Sequence, residues 1–213
     1  RLGRKEEAVA EYTAAIALDD TDWVSYLSRG ELYEELGEYH QALEDYGEAL
    51  EWGGELEALL SRGDLYEKLG RYQEAIADYS EILEQEPDAD DIYNRRGLAF
   101  WKLGNQERAI EDYTQAISRT KGDAQVYLNN RAASYIDRGE YEKAFSDCEA
   151  AIQKDPEFAN PYYHRGRGYA ALGKLELAKQ DFEKAISLRP EYEEARSALE
   201  RVRQELAQTA AGK

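Results

Sequence analysis

The chain has 213 residues, of which 45 are acidic and 27 basic, for a formal net charge of −18. That balance excludes general nucleic-acid binding, which neutralises phosphates with clustered Lys and Arg. A single Cys excludes a disulfide framework, and no apolar run approaches the ~20 residues that a membrane helix needs.

Taken in order, the predicted elements repeat. Residues 1–22 predict one helix at about 5–18, with Gly3 ahead of it and Ala8 and Tyr12 on one stripe. From residue 23 onward, each unit predicts two helices. The first carries a small residue and, three positions on, an aromatic: Gly30 and Tyr33, Gly63 and Tyr66, Gly97 and Phe100, Ala132 and Tyr135, Gly166 and Tyr169. A glycine then ends it, at Gly37, Gly70, Gly104, Gly139 and Gly173, where left-handed backbone is cheap only for Gly. The second helix carries Ala and, four positions on, a bulky residue: Ala42 and Tyr46, Ala75 and Tyr79, Ala109 and Tyr113, Ala144 and Cys148, Ala178 and Phe182. Small residues let two backbones approach, and the aromatics fill the space beside them. Pro87, Pro156 and Pro190 fall where second helices must stop. A last helix at about 193–208, EARSALERVRQELAQ, is charged on its outer face and reads as a solubilising cap. One such hairpin cannot bury its own apolar face, so neighbours must stack. The chain opens at RLGRKEEAVA, already inside the pattern, with no Met anywhere and no visible signal peptide, so it reads as an internal piece of a longer protein. A soluble, cytoplasmic setting is the expectation. Charge is lopsided: residues 1–100 hold 26 acidic and 9 basic side chains, and residues 101–213 hold 19 and 18. Such a field steers a basic partner toward the first half.

The period, the order small–aromatic–Gly–Ala–aromatic–Ala–Pro and its six-fold recurrence resemble the tetratricopeptide repeat family over essentially the whole chain. The resemblance implies an all-α fold, a right-handed α-solenoid of antiparallel helix pairs. Counted that way, 1–22 is a half repeat holding the second helix only. Full repeats follow at 23–55, 56–89, 90–124, 125–158 and 159–192, and 193–213 is a capping helix and tail. One departure recurs. Where the family often has Leu, this chain has Arg29, Arg62, Arg96, Arg131 and Arg165, each followed sixteen residues later by Asp45, Asp78, Asp112, Asp147 and Asp181. The regularity predicts a ladder of partly buried Arg–Asp bonds joining helices within or between repeats, since the guanidinium fork meets a carboxylate with two bonds.

Nothing in the sequence predicts catalysis. There is no phosphate loop, dinucleotide turn, nucleophile elbow or metal-ligand spacing, so no catalytic, metal or cofactor residue is expected. The only two histidines, His40 and His164, are far apart, and Cys148 takes a core aromatic position, as an inert buried thiol does. The resemblance implies instead a concave groove lined by first helices. Its first half would be acidic, through Glu31, Glu34, Glu57, Asp64 and Glu67. Its second half would offer Asn94, Asn129 and Asn130, whose carboxamides can both donate to and accept from a peptide backbone. Arg95, His164 and Arg167 lie on the same face, and Trp101 and Tyr163 would be its anchors. The expected function is a non-catalytic protein-interaction scaffold that holds an extended peptide or partner segment carrying basic residues. Residues 125–182 resemble the chaperone-binding sub-type, which grips a C-terminal carboxylate with two Lys, two Asn and an Arg. Only Asn130 matches that clamp; Asn94, Leu98, Asn160 and His164 stand at the other positions. Too little positive charge remains, so chaperone-tail binding by that mechanism is not expected. Two alternatives stay open: a chaperone adaptor for an acidic C-terminal tail, and a self-assembling or regulatory arm whose open N-terminal half repeat stacks on a second copy.

Overall fold

A computed structural model describes residues 2–122 and 124–211; Arg1, Asp123 and the last two residues, which belong to three of the predicted segments, lie outside it. The described residues form α-helices and turns only, in two compact units. The first unit, ending at Leu103, holds α1 (Leu2–Leu18), α2 (Trp23–Leu36), α3 (Tyr39–Glu51), α4 (Glu55–Lys68), α5 (Tyr72–Gln85) and α6 (Asp90–Lys102). The second, from Gly104, holds α7 (Gln106–Arg119), α8 (Gln125–Asp137), α9 (Tyr141–Lys154), α10 (Ala159–Ala171), α11 (Leu175–Leu188) and α12 (Glu193–Ala211). No described helix is long and apolar enough to cross a membrane.

In the first unit each helix packs on the next in sequence, and α2 also touches α4. The second unit does the same, with α8 beside α10 and α10 beside α12. The result in each unit is two layers, one of first helices and one of second helices. The turn glycines act as predicted. At Gly37, Gly70, Gly139 and Gly173 φ lies between 69° and 81°. The following N–H returns to the carbonyl of the aromatic five residues back, as in Glu38 to Tyr33 (2.8 Å), Arg71 to Tyr66 (2.8 Å), Glu140 to Tyr135 (2.9 Å) and Lys174 to Tyr169 (2.9 Å). Gly3 differs, since it lies inside α1, which begins three residues sooner than predicted. The predicted prolines sit two residues past the ends of α5, α9 and α11. After α3, which lacks one, Gly53 (φ 105°) makes the reversal and the Gly54 N–H closes on Ala49 O at 2.8 Å.

The small positions are small for a measurable reason. A Cβ at Gly30 would stand 2.7 Å from Tyr46 Cε1, one at Gly63 would stand 2.8 Å from Tyr79, and one at Gly166 would stand 2.7 Å from Phe182. In the α8–α9 pair the register is the same but the sizes shift: Ala132 replaces Gly and Cys148 replaces the aromatic ring, and both are fully buried. The thiol leaves room for the extra methyl. Burial in turn pushes the Cys148 thiol up to about 12, so it stays protonated and unreactive.

Candidate functional site

The frame behind the site is the Arg–Asp ladder. Arg29 Nε and Nη2 donate to Asp45 at 2.8 and 2.7 Å, and Arg62 to Asp78 at 2.9 and 2.7 Å. Arg131 donates to Asp147 and Arg165 to Asp181, each with both bonds at 2.8 Å. Every one of these pairs ties a first helix to its own second helix, and the carboxylates are almost wholly buried. The fifth sequence pair, Arg96 and Asp112, has one member in each unit. The third guanidinium nitrogen reaches further. Arg29 Nη1 donates to Thr13 Oγ1, Arg96 Nη1 to Ser80 Oγ and Arg131 Nη1 to Thr114 Oγ1, all at 3.0 Å. Each hydroxyl donates in turn to the carbonyl four residues back, at 2.6 to 2.7 Å. The ladder therefore joins helices within pairs and, through these hydroxyls, between them.

On the first helices of the first unit, four of the five sequence-predicted acidic residues line two recesses, and Glu57 lines neither. Glu31 and Glu34 stand on α2, and Glu57, Asp64 and Glu67 on α4. A recess of about 370 Å³ lies among Glu31, Glu34, Tyr46, Asp64 and Lys68, and a second of about 350 Å³ among Asp64, Glu67, Lys68, Tyr72, Arg95 and Lys102. They share Asp64 and Lys68 and so adjoin one another along α2, α4 and α6. Tyr79, from the second-helix layer, donates its hydroxyl to Asp64 at 2.7 Å and to Glu67 at 3.3 Å. Burial raises the Glu67 carboxyl above its ordinary value, with the Tyr79 hydroxyl opposing that shift. Burial likewise raises both Tyr46 and Tyr79, so these phenols remain neutral donors to the carboxylates. Glu57 is exposed.

Sequence reasoning missed that several groove charges are already bonded to one another. Lys68 Nζ meets Glu34 at 2.9 Å, and Arg95 Nη1 bridges both oxygens of Asp64 at 2.6 and 2.7 Å. In the second unit Arg167 Nη2 donates to Asp137 at 2.7 Å. Each pair joins neighbouring first helices, at sequence separations of 34, 31 and 30. Opposite charges about one repeat apart were the available signal. On α6, Asn94 and Trp101 are half-buried, and Lys102 lies 5.1 Å from the Trp101 ring.

In the second unit, Asn129 is 3% exposed and its Nδ2 donates to Asn130 Oδ1 at 3.2 Å, while its own buried amide oxygen has no donor among the described residues. On neighbouring α10, the Tyr163 ring packs at a tilt against Tyr192, Phe182 and His164, with ring centroids 4.9, 5.9 and 5.3 Å apart. Arg167 Nη1 lies 3.4 Å from His164 Nδ1. Burial first, and the Arg167 charge second, lower His164 to about 3. At neutral pH the ring is therefore uncharged and cannot serve as the cation of a carboxylate clamp. Among the described residues no group of three or more His, Cys, Asp or Glu could hold a metal ion.

Comparisons with known proteins agree with this architecture. A family model described as tetratricopeptide repeat matches residues 27–90, 60–124 and 94–159, and a second model of that description matches 159–192. A repeat protein from Parabacteroides merdae superposes with a TM-score of 0.62 at 30% identity, over 94% of this chain and 78% of that one. The first repeat domain of Spaghetti, solved with an HSP90 peptide, superposes at 0.52 with 31% identity, over 55% of this chain and 93% of that one. Human RNA polymerase II-associated protein 3 is 38% identical over 93 residues, which are 41% of this chain and 14% of that protein. The matches span only 10% to 23% of the length of such curated relatives. With family models matching from residue 27 to residue 192 and the helix pairs in place beneath them, the chain belongs to the tetratricopeptide repeat family.

Proposed function

We propose that the chain is a non-catalytic protein-interaction module that holds an extended partner segment against its first helices. The observation that supports this best is the pair of adjoining polar recesses along α2, α4 and α6. Recesses lined by Glu31, Glu34, Asp64 and Glu67 favour a segment with Lys or Arg, by Coulomb attraction and by bonds to carboxylate oxygens. In the second unit, half-buried Asn130 would bond the backbone of the same kind of segment, while Asn129, buried beside it, would orient the Asn130 carboxamide through its Nδ2. Trp101 and Tyr163 would supply apolar contact area, and Arg95 and Arg167 would shape the walls while held by Asp64 and Asp137.

The test is selection of binders from a random peptide display library, followed by titration of a selected peptide. Peptides enriched in Lys and Arg are expected. Changing Asn129 and Asn130 together to Ala, or Glu34 and Glu67 together to Gln, should weaken binding about tenfold or more, since each change removes polar contacts of about 1 kcal/mol apiece. Affinity unchanged by both double variants would sink the groove reading.

A second reading, capture of an acidic chaperone tail, draws on the solved HSP90-peptide complex of a relative. The neutral His164 weighs against it. A third, stacking of a second copy on α1, draws on Leu18, which is 91% exposed. Light scattering over a range of concentrations separates it from a monomeric binder.

A further inference from the structure

In the second unit the first-helix layer continues from α10 to α12, and between them lies a recess of about 230 Å³. Phe182 of α11 closes its bottom, and Ala170, Ala198 and Val202 supply apolar walls. Arg167 forms part of one wall, and its guanidinium is already tied to Asp137 and turned toward His164. Arg201 stands on the opposite rim and is exposed. It differs from the other arginines of α12: Arg196 pairs with Glu193 at 3.2 Å and Arg203 with Glu183 at 3.0 Å, whereas Arg201 has no carboxylate partner among the described residues, although Glu205 lines the same recess. The volume is below the ~300–1,000 Å³ of sites for drug-sized ligands and suits one aliphatic side chain.

We propose that this recess seats a single aliphatic side chain of the bound partner segment, with a carboxylate next to that side chain meeting Arg201. The carboxylate can be an Asp or Glu side chain or the segment's own C-terminus. This inference rests on the groove reading and extends it, because the recess would fix one end of a segment lying along α8 and α10. An apolar floor supplies most of the attraction, and the exposed guanidinium adds direction more than strength.

The probes are N-acetyl-leucine, N-acetyl-leucinamide and N-acetyl-leucyl-aspartate α-amide, whose side-chain carboxylate is free, titrated into the full chain while backbone amide and methyl NMR shifts are followed. Saturable shifts at Ala170, Ala198 and Val202 are expected with all three. The two carboxylate probes should bind about threefold tighter than the amide, the increment of an exposed ion pair. Comparing these two tells a chain terminus from an internal Asp. Arg201→Gln should erase the threefold difference and leave amide binding unchanged. Ala170→Leu, which keeps a good helix former and fills the recess, should weaken all three probes. No saturable shift at these residues, or a carboxylate preference that survives in Arg201→Gln, overturns the inference. The Asn129→Ala, Asn130→Ala double variant keeps the probe response if the recess acts alone, so the groove reading can fail while this one stands.

Discussion

Two kinds of Arg–carboxylate pair occupy this chain, and burial separates their consequences. In the ladder pair of Arg131 with Asp147 the side chains are 18% and 9% exposed, and both oxygens are bonded. Removing the Asp leaves a guanidinium uncompensated inside the protein, which costs about 3 kcal/mol or more. In the groove pair of Arg95 with Asp64 the side chains are 37% and 40% exposed, where water and salt screen the attraction and the cost is about 0–1 kcal/mol. Urea unfolding of Asp147→Ala should therefore show a large loss of stability and Arg95→Gln, which leaves the Tyr79 bond to Asp64 in place, a small one; equal losses would refute the distinction. His164 supplies a pH dependence. Its ordinary value is 6.5 and its folded value about 3, so the unfolded chain takes up a proton that the folded chain refuses. The stability contributed by this neutral ring is fully present above about pH 6.5 and is lost as the pH falls toward 3. Melting temperature should drop less between pH 7 and pH 4.5 in His164→Gln than in the unaltered chain; parallel curves would show that the ring is not kept neutral by its surroundings.

At the level of helices, size complementarity was partly legible and partly hidden. The recurring small and aromatic residues announce a close approach of two helices, and the contacts of Gly30, Gly63 and Gly166 are the reason. Cys148 looked like a lone substitution in the sequence. Only the shared register shows it to be half of an exchange in which Ala132 takes the methyl's worth of space that the missing ring gives up. Cys148→Tyr alone should overpack the α8–α9 pair and cost about 1–3 kcal/mol. Adding Ala132→Gly should recover most of that loss, and thermal denaturation of the single and double variants measures it. If the second change brings no recovery, the two positions are not coupled. The helix boundaries themselves were readable to within a few residues, because glycine and proline punctuate them. Pairs such as Lys68 with Glu34 were not, because their partners lie about a repeat apart, beyond the reach of helical periodicity.

Across the molecule, the sequence carried the all-α class and the stacked helix pairs, because both follow from local patterns copied many times. Of the acidic residues it singled out, Glu31, Glu34, Asp64 and Glu67 line two adjoining recesses and Glu57 lines neither. It did not carry how much of that acidity is spent internally on Lys68, Arg95 and the tyrosine hydroxyls. The recess beside Arg201 was equally hidden, because its walls come from three helices and none of its residues is unusual alone.

The hydroxyl rungs give the first unit an uneven stiffness. Arg29 and Arg96 each reach back to a hydroxyl on the preceding second helix, Thr13 and Ser80. Arg62 faces Gly47 at the corresponding place and has no such bond among the described residues. The joint between the α2–α3 and α4–α5 pairs therefore relies, for its polar fastening, on the half-exposed Lys68–Glu34 contact. Neutral hydroxyl bonds are indifferent to dissolved ions, whereas that contact is screened by them. Of the three joints in the first unit this is the one without a hydroxyl rung among the described residues, so its polar fastening rests on a contact that weakens as ionic strength rises.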